Sequence, residues 1–156
     1  MHVIGRTAEA GTLMPILLPA AHLVLVPFLL KNFSYWGIRL ISVGLALNLL
    51  VMVLNGGLMP VNAQTVDAIG RHDVKDLTVG EPIPGTKNVL LNAGDIRMPE
   101  LSDTIILPLP KPFTKAISAG DVLVATGAFL ALIEIGFRRS GATHTFAQDP
   151  ESPFDV

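Results

Sequence analysis

The chain has 156 residues, half of them apolar and 15% charged, with a formal net charge of -2 and no cysteine. A mean hydropathy of +0.54 is too high for an ordinary soluble domain and sets the chain among integral membrane proteins. The balanced charge and the lack of a Lys/Arg block exclude nucleic acid as a partner, and the missing cysteines exclude disulfides, thiolate metal sites and cysteine nucleophiles.

In chain order, residues 13–30 ("LMPILLPAAHLVLVPFLL") come first. They carry no formal charge and approach the about 20 helical residues that cross a bilayer core about 30 Å thick. They predict a membrane helix. Pro15, Pro19 and Pro27 each remove a backbone donor, so this helix should be kinked or partly irregular and should need neighbours for the freed carbonyls. No basic stretch precedes it, and Lys31 and Asn32 follow where a cleavage site would carry small residues. It is therefore read as a span and not as a cleaved signal. Residues 35–58 predict a second span, with Tyr35 and Trp36 suited to an interfacial belt and Arg39 able to snorkel. Together the two make a membrane hairpin over residues 1–58.

The loop region, residues 59–118, contains "TKNVLLNAG" and "SDTIILPLP", apolar and β-branched runs bounded by turn residues, as strands are. A small sheet or lid on the membrane surface is expected there. In "ILPLPKPF" the alternating prolines exclude a central strand and favour extended, polyproline-like edge chain. Residues 119–139 predict a third span, closed by Arg138 and Arg139. Residues 140–156 carry few large apolar side chains and are read as a disordered tail. The expected fold class is thus mainly α and integral to the membrane, with about three transmembrane helices and an outward loop region carrying short β-strands.

Orientation follows from the basic residues. Lys31 and Arg39 flank the first link and Arg138 and Arg139 follow the third span, so the positive-inside rule puts both places and the C-terminus in the cytoplasm, with residues 59–118 outside.

Three aspartates in or just after the loop region are candidates for chemistry. Ser118 and Asp121, in "Ser118-Ala119-Gly120-Asp121", have the spacing of a capping box that opens the third helix. Asp95 in "NAGDIR" and Asp103 in "LSDT" have the surroundings of turn residues. The catalytic alternative brings Asp95 and Asp121 together, so that two close carboxylates share a proton and activate water.

The order "Asn92-Ala93-Gly94-Asp95-Ile96-Arg97", then Asp103, then "Ser118-Ala119-Gly120-Asp121" is similar to lipoprotein signal peptidase, an aspartyl membrane hydrolase. That resemblance implies Asp95 and Asp121 as the dyad, with Asn92, Arg97 and Asp103 supporting them and Asn55 standing for a further Asn-x-Gly element. Ile96 interrupts the family's Asn-x-x-Asp-Arg motif, Ser118 stands where the family has asparagine, and the peptidase has four spans.

A broader resemblance rests on "Asn55-Gly56-Gly57-Leu58-Met59-Pro60-Val61", "Leu107-Pro108-Leu109-Pro110" and "Gly120-Asp121-Val122-Leu123". The chain resembles an uncharacterised family of small bacterial membrane proteins over roughly residues 36–133. This implies a bacterial cytoplasmic membrane and no specific activity. Asn55, Gly56 and Gly57 are candidate binding residues; as structure, they end the second helix.

His22, in mid-span, is a candidate ligand for a haem or a pigment metal, or a hydrogen-bond partner of a neighbouring helix through Asn48. Glu134 lies four residues before Arg138, the spacing of a helical ion pair. No cofactor is expected. Two functions stay open: a non-enzymatic subunit or binding module, with lipid and a membrane protein as partners, and an aspartyl hydrolase.

Overall fold

A computed structural model describes residues 4–71, 77–110 and 113–145, with side chains described between residues 13 and 138 of those stretches. Three helices are long and apolar enough to cross a membrane: α1 (Ile4–Lys31), α2 (Trp36–Leu54) and α4 (Ala119–Thr145). A few short elements lie between α2 and α4.

α1 starts well before residue 13 and is helical through all three prolines. Each proline leaves one carbonyl, those of Gly11, Pro15 and Leu23, without its helical donor. Pro15 meets Gly57, whose φ of 94° and lack of a side chain let the loop backbone lie directly on the Pro15 carbonyl.

α2 is shorter than the expected span because residues 55–57 close it. The Gly57 N–H donates to the Met52 carbonyl at 2.7 Å, and Gly56 between them has φ 84°. This is the Schellman arrangement, and its left-handed residue is a glycine for the usual steric reason. Leu58 therefore belongs to the loop.

α2 and α4 form the main packing pair, and they run antiparallel, since Gly37 lies against Gly127 and Ala131 while Gly44 lies against Gly120. Both glycine pairs are spaced by seven residues, two turns of helix, so they fall on one face of each helix. A Cβ at Gly44 would fall 2.6 Å from the Gly120 carbonyl oxygen, and one at Gly127 would fall 2.6 Å from that of Gly37. Such small-residue seams let helix backbones approach closely where lipid offers no hydrophobic gain. Leu29, Ile38 and Ala131 pack beside the seam and tie α1 to it at one end.

In the loop region β1 (Met59–Val61) pairs parallel with β2 (Asn88–Leu90), Met59 opposite Asn88 and Val61 opposite Leu90. A parallel pair needs a crossover, and the short helix α3 (Ala63–Ala68) lies within it, capped by the Asn62 side chain on the Thr65 N–H. Pro82 bridges the other side of Val89, so β2 is bonded on both edges. Val61, Val66, Ile83 and Leu90 form a small core beneath these strands. β3 (Ile105–Leu107) and β4 (Lys115–Ile117) pair antiparallel. Pro108 and Pro110 follow β3 instead of interrupting it. α4 continues to Thr145, into the segment read as a tail; residues 146–156 lie outside the described residues.

The glycine seam generates a test. Gly44→Val and Gly127→Val should each lower stability in detergent by about 1–3 kcal/mol, the usual cost of overpacking, or more because backbone cannot yield. Gly136→Val, where nothing lies within 4 Å of an added Cβ, should cost nothing measurable in the same melting experiment.

Candidate functional site

The helix pair and the loop region meet at the N-terminus of α4, where the sequence places Ser118 before the helix and Asp121 in its first turn. The reciprocal capping box forms: the Asp121 N–H donates to Ser118 Oγ at 2.9 Å, and the Ser118 N–H donates to Asp121 Oδ2 at 3.2 Å. Asn48 of α2 joins the same group. Its amide donates to Asp121 Oδ1 at 2.7 Å and accepts from Ser118 Oγ at 2.8 Å. Gly120 leaves the room for this, since a Cβ there would collide with Asn48.

Lys87, just ahead of β2, extends the cluster into the loop region. Its ammonium donates to Asp121 Oδ2 at 2.8 Å and stands 3.6 Å from Asp103 Oδ1. Asp103 is 1% exposed, accepts from Asn88 Nδ2 at 2.7 Å, and has no hydrogen-bond donor on Oδ1. Burial pushes the Asp103 carboxyl above the ordinary aspartate range, against the opposing charge of Lys87 and the Asn88 bond, and the nearby Asp121 carboxylate adds to the rise. The cluster can therefore hold a proton on Asp103 more tightly than an exposed aspartate does, while Lys87 stays paired to Asp121. A cavity of about 400 Å³ adjoins it, walled by Val61, Val66, Ile69 and Ile83 and reached by Lys87 and Asp103.

The other sequence candidates lie elsewhere in the hydrogen-bond pattern. Asp95 is exposed and sits in a turn with Asn92, whose side-chain amide donates to its Oδ2 at 2.8 Å. Asp121 is grouped with Asp103, through Lys87. Asn55 uses its side-chain amide as a strand uses its backbone: Nδ2 donates to the Arg97 carbonyl and Oδ1 accepts from the Arg97 N–H, each at 2.9 Å. Arg97 takes part there through its main chain. Gly56 and Gly57 serve the α2 terminus, as above.

His22 bonds within its own helix, Nδ1 to the Leu18 carbonyl at 2.8 Å. It lines an apolar groove between α1 and α2 with Leu29, Phe33 and Leu45. The expected link from His22 to Asn48 does not form, because Asn48 is taken by Ser118 and Asp121. Among the described residues no group of His, Asp and Glu is arranged to hold a metal ion.

Glu134 also departs from expectation. Its two oxygens accept from the N–H groups of Trp36 and Gly37 at 3.1 and 3.0 Å, so α4 caps the N-terminus of α2. Free N–H groups at a helix start attract a carboxylate more strongly than an exposed Arg138 does. Arg138 instead lies over the Tyr35 ring, 4.6 Å from its centroid, and Arg39 lies over Trp36 at 4.5 Å. Lys87 and Asn88 are the site residues that sequence reading passed over, while Glu134 stands out in the sequence but with Arg138 as its partner. Lys87 does carry one signal, a single cation at the head of the turn-bounded apolar run "TKNVLLNAG".

No curated protein and no solved structure matches the chain significantly. A family model described as "Family of unknown function" matches residues 4–133.

Two outcomes follow from the cluster. Ser118→Ala should cost about 1 kcal/mol of stability, the value of an N-cap, with somewhat more lost because Asn48 also loses its donor. Asp103 has a folded-state pKa above its unfolded value, so the folded state holds the extra proton and this group's contribution to stability falls as pH rises from about 4. Melting curves from pH 4 to 8 should show that decline, and Asp103→Asn should flatten it.

Proposed function

The chain belongs to DUF5317, a family of unknown function, and on its geometry we propose a non-enzymatic membrane module that spans the bilayer three times and docks on another membrane protein through α1. The observation that carries this reading is how little of α1 the chain covers. The rest of the molecule buries 6% of the window Leu13–Lys31, against 33% of Trp36–Leu54. Leu23, Val24, Phe28 and Leu30 are all exposed. Lipid could cover such a surface, but lipid cannot donate to the Leu23 carbonyl that Pro27 leaves without its helical partner; a polar side chain on a neighbouring helix can. In this reading α2 and α4 form the rigid unit and α1 the docking element, with residues 59–118 on the outer face and Arg39 and Arg138 at the cytoplasmic one.

The aspartyl hydrolase alternative draws no support from the arrangement of its residues. A dyad needs two carboxylates on one water, whereas Asp95 is bonded to Asn92 in a turn and both Asp121 oxygens accept from Asn48, Lys87 and Ser118. The Asp121 carboxylate is committed to holding α4 against α2 and the loop region.

Photocrosslinking in native membranes tests the docking reading. A photoreactive side chain placed at Leu23 or Leu30 should give a discrete protein adduct, while one at Leu132, exposed on α4, should react with lipid. Lipid adducts alone at Leu23 and Leu30 would contradict it.

A further inference from the structure

The β3–β4 hairpin carries an exposed apolar surface of the loop region. Ile105, Ile106 and Leu107 are 42%, 41% and 39% exposed, so neither face of β3 is covered by another element. Leu109 and Phe113, in the connection, are exposed as well. An exposed apolar ribbon is a liability in water, where it invites edge pairing and aggregation. Its position supplies a different environment.

β4 ends at Ile117 and α4 begins at Ala119. At about 3.3 Å per residue, Ile117 lies within about 7 Å of the helix start and Lys115 within about 13 Å. If α4 spans a bilayer, its first turn lies near the boundary of the hydrocarbon core, and the headgroup zone beyond that boundary is roughly 5–8 Å deep. The end of β4 at Ile117 therefore falls in or beside this zone, and a hairpin running along the membrane surface stays within it. The capping box on Ser118 and Asp121 and the Asn48 contact hold that strand end in place. Charge agrees with the placement: β4 carries Lys115, and residues 104–117 contain no acidic residue, which suits phosphate headgroups. Phe113 adds an apolar ring of the kind that interfacial segments bury at the boundary of headgroups and acyl chains.

We propose that the β3–β4 hairpin is an interfacial anchor, seated in the headgroup and upper acyl region of the leaflet at the loop end of α4. Its occupant is lipid, and no protein partner is needed. The anchor rests on α4 being a membrane span, as the reading above holds, and it is independent of whether α1 docks on a partner.

The chain has one tryptophan, Trp36, so a Trp36→Phe background gives a silent reporter. Into it go, one at a time, Phe113→Trp, Ile106→Trp and, as a depth marker on α4, Phe129→Trp. Each variant is reconstituted in phosphatidylcholine and phosphatidylglycerol vesicles whose acyl chains are brominated near the headgroup or near the terminus. At positions 113 and 106 the emission should be blue-shifted and quenched at least twofold more by upper-chain than by terminal bromine. At 129 the order should reverse. Water-like emission at 113 and 106, quenched by aqueous iodide while 129 stays protected, would overturn the anchor and leave the span standing. Water-like emission at all three would overturn both.

Discussion

A helix start leaves up to four N–H groups without partners inside the helix, and where a neighbouring helix packs over them the protein has to supply acceptors. This constraint organises the molecule. The start of α2 is met by Glu134, reaching across from α4 to the N–H groups of Trp36 and Gly37. The start of α4 is met by Ser118 and Asp121, with Asn48 reaching across from α2. Because the helices are antiparallel, each one stabilises the open end of the other. The glycine seam between them lets the backbones come close enough for these side chains to reach.

The same cluster couples the loop region to the helices. Lys87 and Asp103 belong to the loop region, Asp121 to α4 and Asn48 to α2, yet one chain of contacts joins them all. A second attachment lies at the end of α2, where Asn55 pairs with the main chain of Arg97 and Gly57 rests on Pro15. The loop region is therefore fixed to the helix pair at two places. α1 shares little of this, which is why its surface carries the functional reading.

Local patterns read true wherever the cause was local. The apolar runs marked three long helices, the Asn55-Gly56-Gly57 stretch marked the end of α2, and the Ser118 to Asp121 spacing marked a cap. Ranges were less accurate: the sequence reading runs the second span to Leu58, but two positive φ angles and a 6→1 hydrogen bond end it at Leu54. The long-range partners could not be read. Nothing near Lys87 in the sequence points to Asp121, and the helical spacing of Glu134 and Arg138 suggested a pairing that a nearby helix end displaced. Asp95 was attractive because its neighbours resembled a motif, while Asp103 was the carboxylate that tertiary contact brought beside Asp121.

The central claim is that the side chains at the loop end of α2 and α4 act as one unit and are not two separate caps. A double-mutant cycle on Asn48→Ala and Asp121→Ala, read by unfolding in detergent, tests it most directly. A unit predicts that the two losses fail to add, with a coupling of about 1 kcal/mol or more, in the range seen for residues sharing one network. Losses that add within about 0.3–0.5 kcal/mol, as independent sites do, would contradict it.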